Sequence, residues 1–204
     1  MDKLNISLYK ECVNLYYKLH NEYYEIYRDN AGGKPFDIIV VEGPDKVGKT
    51  TYIRDRFGDN RVYTVIREER KNFVENIDYI IGFSVIRNNN MPRVFNELST
   101  GKTVVFDRYF YSTIVYNLLY KIATNQNIFE RMDNNIYLFE DSLRFVFMMA
   151  YYVFPSEVIF LRRQVAELNP YDPYERNYDY SLLIKIYNDV LNDEKIKYVK
   201  IKKL

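Results

Sequence analysis

A chain of 204 residues with 29 Lys+Arg against 28 Asp+Glu has room for one domain with a substantial core and carries almost no net charge. That balance argues against nucleic acid as the main partner, since its phosphates call for a basic excess. The single His20 excludes a His-rich metal site or a multi-histidine mechanism, and the lone Cys12 excludes an internal disulfide and points to a reducing compartment.

In chain order, residues 1–30 predict one amphipathic helix, with Leu8, Cys12, Leu15, Leu19, Tyr23 and Ile26 recurring at three- and four-residue steps. Its start has no secretory pattern. "NAGGKP" (Asn30–Pro35) breaks it, because glycine permits left-handed backbone and proline removes a donor. "FDIIVVE" (Phe36–Glu42) is near-continuously apolar, as a strand buried on both faces must be. Further strands are expected at Arg61–Ile66, Gly101–Arg108, Ser156–Leu161 and Lys197–Ile201, with helical spacing between them, for example Leu182, Leu183, Ile186, Tyr187, Val190 and Leu191. The apolar run Phe145–Phe154 is about half the length of a membrane span and reads as a buried helix. Strands alternating with helices imply an α/β domain on a mainly parallel sheet. The expected division is a helical extension over 1–34 and one domain over 35–204. The chain has 22 Tyr and 13 Phe but no Trp, a bias that fits an AT-rich genome. A single tyrosine therefore has functional weight only where its position supports it.

Chemistry enters at "GPDKVGKT" (Gly43–Thr50), which satisfies G-x-x-x-x-G-K-[ST] between a strand and a helix. Gly43 and Gly48 let the backbone wrap phosphate oxygens, and the N–H groups of Asp45, Lys46, Val47, Lys49 and Thr51 are expected to line that wrap. Lys49 would reach the β/γ-phosphates, the Thr50 hydroxyl would take Mg²⁺, and the helix N-terminus favours negative charge. A GTPase switch should show N-K-x-D, and the chain has none. "FDRYFYSTIVYN" (Phe106–Asn117) follows the third strand, at the end of an open α/β sheet where ligands bind. Asp107 there would sit near Mg²⁺ and Arg108 near a phosphoryl group; a structural Asp–Arg pair reads equally well from those two letters. Phe83 and Arg87 in "FSVIR" lie four apart, so a base-stacking ring and a guanidinium share one helix face.

Together these stretches resemble the thymidylate kinase family. Its loop E-G-x-D-x-x-G-K-[ST]-T is matched by Glu42, Gly43, Asp45, Gly48, Lys49, Thr50 and Thr51. Its D-R-[YH]-x-x-S-x-x-[AV]-[YF] is matched by Asp107, Arg108, Tyr109, Ser112, Val115 and Tyr116, and its F-x-x-x-R by Phe83 and Arg87. The resemblance implies a P-loop three-layer α/β/α fold with a five-stranded, mainly parallel sheet. It also implies ATP as donor, dTMP as acceptor, Mg²⁺ as cofactor and a homodimer. Asp45 then resembles the carboxylate on the sugar 3′-hydroxyl, Phe83 the base-stacking ring, Arg87 the donor to the thymine carbonyl and Arg108 the clamp on the acceptor phosphate. Arg67 falls where another phosphate-binding arginine is kept, without its usual proline neighbourhood. Ser112, Tyr116 and Asn117 fall near sugar and base, with Asn117 in place of the frequent Gln. Phosphoryl transfer asks for one more cation, and Lys46 in the loop is the candidate. The expected lid, Leu161–Tyr180, is not arginine-rich in the usual place; Arg162, Arg163 and Arg176 remain contributors, with Tyr174 and Tyr178 as closing side chains. The competing readings are a kinase for another or modified pyrimidine deoxynucleotide or a nucleoside, a silent nucleotide-binding module, and a kinase of bases within DNA. The expected setting is cytoplasmic, in a host cell if the chain is viral.

Overall fold

The computed structural model describes residues 3–30, 37–58, 63–67, 91–123, 132–149, 154–162 and 180–204. In chain order these form α1 (Lys3–Asn30), β1 (Ile38–Glu42), α2 (Lys49–Phe57), β2 (Tyr63–Arg67), α3 (91–99), β3 (Thr103–Asp107), α4 (Phe110–Ala123), α5 (Met132–Met149), β4 (Glu157–Phe160), α6 (Tyr180–Val190) and β5 (Lys200–Lys203). The five strands make one sheet in the order β2-β3-β1-β4-β5, every pairing parallel. Among the described residues no helix is long and apolar enough to cross a membrane.

The central strands read as unbroken apolar runs because both of their faces are covered. Ile38 and Val40 of β1, Val104 and Phe106 of β3, and Val158 and Phe160 of β4 face one core, which α1, α4, α5 and α6 complete. The alternate residues Val41, Val105 and Ile159 face the other, with Val47, Ile53 and Phe57 from the loop after β1 and from α2. Two cores on either side of one sheet are the three layers expected from the sequence. Strand ends shift by up to three residues from the expected ones; the first strand ends at Glu42 as expected, and the fifth begins at Lys200 rather than Lys197.

The topology fixes where a ligand can bind. From β1 the chain crosses outward past β3 to β2, while from β3 it crosses back past β1 to β4. The two connections leave in opposite directions and open a crevice beyond the C-terminal ends of β1 and β3, the place where open α/β sheets take their ligands.

The first helix belongs to the larger core. It packs on α5 and touches α4 and α6. Tyr9 donates to Asp189 Oδ2 at 2.5 Å, Tyr17 donates to the Asp189 carbonyl, and His20 Nε2 lies 3.1 Å from the Tyr111 hydroxyl. Asn21 also clamps the turn before β5, donating to the Lys195 carbonyl and accepting from the Lys197 N–H, both at 2.9 Å. Leu8, Cys12 and Leu19 are buried as the periodicity predicts, but Tyr23 is half-buried and Ile26 exposed, and Tyr24 and Tyr27 take their places inside. Of the "FVFMMAYYVF" run, Val146 and Phe147 on α5 are buried, Met148 is 56% exposed and Phe154 is buried, while residues 150–153 lie outside the described residues.

Candidate active site

The crevice is built from two turns. The first is the loop after β1, where Gly43 holds φ 141° and a Cβ would stand 2.3 Å from the Leu161 carbonyl oxygen, so only glycine fits. Gly48 (φ 91°) is the N-cap of α2 and uses no side chain to cap it, which leaves the helix's first N–H groups for a ligand. Lys46 is held at φ 59°, a conformation costly for a residue with a Cβ, and its side chain points to solvent. Lys49, 8% exposed, folds back and donates to the Pro44 carbonyl. Burial, with the nearby Arg108 charge second, pulls its pKa down to about 7. Val47 is buried, and Thr50 and Thr51 are exposed on the first turn of α2.

The second turn links β3 to α4. Asp107 closes β3 in register with Val41 of β1 and Arg67 of β2, which brings the backbone of Arg67 to the same end of the sheet. Arg108 follows at φ 69°, its N–H tied to the Val41 carbonyl at 3.0 Å. A left-handed arginine is strained, and its side chain lies over the crevice. Its Nη2 forms an ion pair with Asp45 of the first turn. Its Nη1 is surrounded by the hydroxyls of Tyr116 (3.3 Å), Tyr187 (3.3 Å) and Ser112 (3.4 Å), and the guanidinium lies 5.4 Å from the Tyr116 ring centre. Burial works against this charge, but the oxygens of Tyr116, Tyr187, Asp45 and Glu42 outweigh it and keep the arginine charged.

Beneath Arg108 lies Glu42, fully buried at the end of β1. Its Oε1 accepts the backbone N–H groups of Tyr109 (2.8 Å) and Ser112 (3.3 Å), and its Oε2 accepts the Ser112 hydroxyl. A carboxylate at the start of α4 satisfies two donors the helix leaves open and complements its dipole. Burial pushes the Glu42 pKa up; Ser112, Arg108 and the Tyr109 N–H oppose that rise. Along α4, Thr113 beside Ser112 and Asn117 one turn on are buried, and the Thr113 hydroxyl and Asn117 Oδ1 find no partner among the described residues.

The fold thus brings Asp45, Lys49, Asp107, Arg108, Ser112 and Tyr116 to one crevice, with the exposed Lys46, Thr50 and Thr51 on its loop side. Arg162 is exposed just after β4, its N–H bound to the Leu204 carbonyl at 3.0 Å. Phe83, Arg87, Arg163, Tyr174, Arg176 and Tyr178 lie outside the described residues. Two members were not picked out from the sequence as site residues. Glu42 entered only as a letter of the loop motif, and Tyr187 only as a core position of α6. No signal separates Tyr187 from the other tyrosines of an apolar stripe. Glu42, a lone acid ending an otherwise apolar strand, did carry one.

No cluster of three or more His, Cys, Asp or Glu among the described residues could hold a metal alone. Thr50 and Asp107 instead offer hard oxygens beside the phosphate loop, the donor type Mg²⁺ accepts when phosphates supply the remaining ligands.

No protein-family model matches the chain, and no curated protein matches it in sequence. Among solved structures, the thymidylate kinase from Candida albicans matches with a TM-score of 0.56 at 16% identity, over 83% of this chain and 84% of that one. The thymidylate kinase from Ehrlichia chaffeensis is a looser match, at TM-score 0.49 and 17% identity, over 83% of this chain and 89% of that one. The chain therefore has a thymidylate kinase-like fold, the architecture its motifs led us to expect.

Proposed function

We propose that the chain is an ATP-dependent nucleoside monophosphate kinase that converts dTMP to dTDP. The observation that carries this reading is that one crevice sets the glycine loop and the buried Lys49 beside the half-buried Arg108 guanidinium, which we read as two anion sites. A hydrolase or a switch needs the first alone; a transferase between two phosphates needs both.

In this reading a phosphate oxygen of dTMP attacks the γ-phosphorus of ATP, the bond to the β,γ-bridging oxygen breaks, and ADP leaves. Such a transfer depends on positioning and on charge more than on covalent chemistry. Lys49 and the N–H groups of residues 43–51 hold the donor phosphates, with Lys46 as the second cation. Mg²⁺, held by Thr50 and Asp107, would neutralise charge on the transferred group. Arg108 and Arg67 hold the acceptor phosphate; Asp45 takes the sugar hydroxyl; Phe83 and Arg87 take the base, with Ser112, Tyr116, Asn117 and Tyr174 around it. Asp45 is bound to Arg108, and an arriving phosphate would displace it and release it toward the sugar.

The experiment is coupled ADP release by the purified protein with dTMP, dUMP, dCMP, dGMP, dAMP and thymidine. The panel is broad because the Candida albicans enzyme is described as having broad substrate specificity. We expect dTMP to be preferred and Lys49→Ala to abolish turnover. A purine monophosphate as the best acceptor, or no turnover with any, rejects the reading.

A further inference from the structure

Tyr187 reaches the crevice from α6, far along the chain from either motif. Its ring is fixed on two sides. It stacks on Phe160 of β4 at 5.1 Å and 21°, and it meets Tyr116 edge-on at 6.4 Å and 87°. This packing sets the hydroxyl between Arg108 Nη1 at 3.3 Å and Ser112 Oγ at 3.1 Å.

Elementary chemistry orders the protons here. A guanidinium has no lone pair to offer, so Tyr187 accepts from Arg108. Ser112 has a single proton and donates it to Glu42 Oε2, while the other oxygen of Glu42 accepts two backbone N–H groups. Tyr187 is left to donate to Ser112. The result is a one-way chain, Arg108 to Tyr187 to Ser112 to Glu42, joining a half-buried guanidinium to a buried carboxyl group through two hydroxyls. Each link polarises the next, so the chain holds better whole than as separate pairs.

We propose that Tyr187 is a positioning residue whose hydroxyl fixes the orientation of the Arg108 guanidinium and thereby sets the affinity of the crevice for the acceptor's phosphate. The affinity half rests on the reading of Arg108 as the acceptor-phosphate ligand; the orientation half does not. Without the hydroxyl, Nη1 keeps only Tyr116 and the long contact to Ser112 while Nη2 keeps Asp45, and the guanidinium is held more loosely on its Nη1 side. A freer arginine loses more entropy when it grips a phosphate. Among the described residues Tyr187 makes no hydrogen bond to the phosphate loop, so the effect is expected on the acceptor side.

The test is Tyr187→Phe in the full chain, which keeps the ring and removes one oxygen. In the protein without nucleotide, ¹⁵N NMR of the Arg108 guanidinium, assigned by its loss in Arg108→Lys, is expected to resolve separate Nη signals in the parent and merged or broadened ones in Tyr187→Phe. In steady-state kinetics, the KM for dTMP is expected to rise about five- to tenfold, the size of one ordinary net hydrogen bond, with kcat and the KM for ATP within about twofold. A merely structural role would lower the melting temperature without that split. Unchanged Arg108 signals in Tyr187→Phe overturn the proposal, as does an unchanged dTMP KM. If the parent protein turns over no monophosphate, the functional reading fails by itself, and the NMR comparison still decides whether Tyr187 orients Arg108.

Discussion

Lys49 combines three circumstances that seldom meet: it is buried, it lies near a second cation, and its ammonium is bound to a loop carbonyl. With its pKa at about 7, Lys49 carries the ammonium below neutral pH and loses it as pH rises. On the proposed function, a bound triphosphate would favour the ammonium, so ATP binding above pH 7 should draw in a proton. Calorimetry of ATP binding in buffers of different ionisation enthalpy should find an uptake of about one proton at pH 8, falling toward zero at pH 6. Equal uptake at both values would show that Lys49 is not the group involved. The lysine, the two strained turn residues and the glycines were legible because each motif position prescribes a chemical type. Tyr187 was not, since among 22 tyrosines one on an apolar helix stripe is indistinguishable from packing.

The helix α1 illustrates how far periodicity carries. Spacing foretold a long amphipathic helix, and Leu8, Cys12 and Leu19 are buried as it required. Near its end the buried face turns by one residue, from Tyr23 and Ile26 to Tyr24 and Tyr27. The ring partners decide this: Phe154 meets both Tyr24 (5.4 Å) and Tyr27 (5.8 Å), and Tyr198 stacks on Tyr24 at 5.4 Å. Those partners come from distant parts of the chain and leave no local trace. Leu19→Ala should lower unfolding stability by about 2–5 kcal/mol in a denaturant titration, the usual cost of a cavity in a closed core. His20, fully buried among aromatic rings, has its pKa lowered to about 3, chiefly by burial. The unfolded chain therefore binds a proton near pH 6.5 that the folded one refuses, and stability falls as pH drops through that window. The loss should be about 2 kcal/mol between pH 7 and pH 5. His20→Gln, which keeps a polar partner for Tyr111 but does not titrate, should flatten that slope; an unaltered slope would assign it to other groups.

At the scale of the molecule, α1 joins its neighbours through Asp189, Tyr111 and the turn before β5 as well as through the core. Removing residues 1–30 should therefore abolish cooperative thermal unfolding, followed by circular dichroism, rather than merely trim activity. A truncated chain that melts cooperatively would support the division into an extension over 1–34 and a self-sufficient domain over 35–204. The sequence by itself determined the α/β alternation, the phosphate loop and the strand-end Asp107–Arg108 pair, because these depend on local periodicity and on residue types that a motif spaces along a few turns. Only the tertiary structure decided the strand order, the burial of Glu42 under Arg108 and the reach of Tyr187 into the crevice. Parallel strands are paired across long crossovers, and side chains remote in sequence meet only after those crossovers close. Such meetings are settled by packing and by the need to satisfy buried polar groups, neither of which is written in any short stretch of the chain.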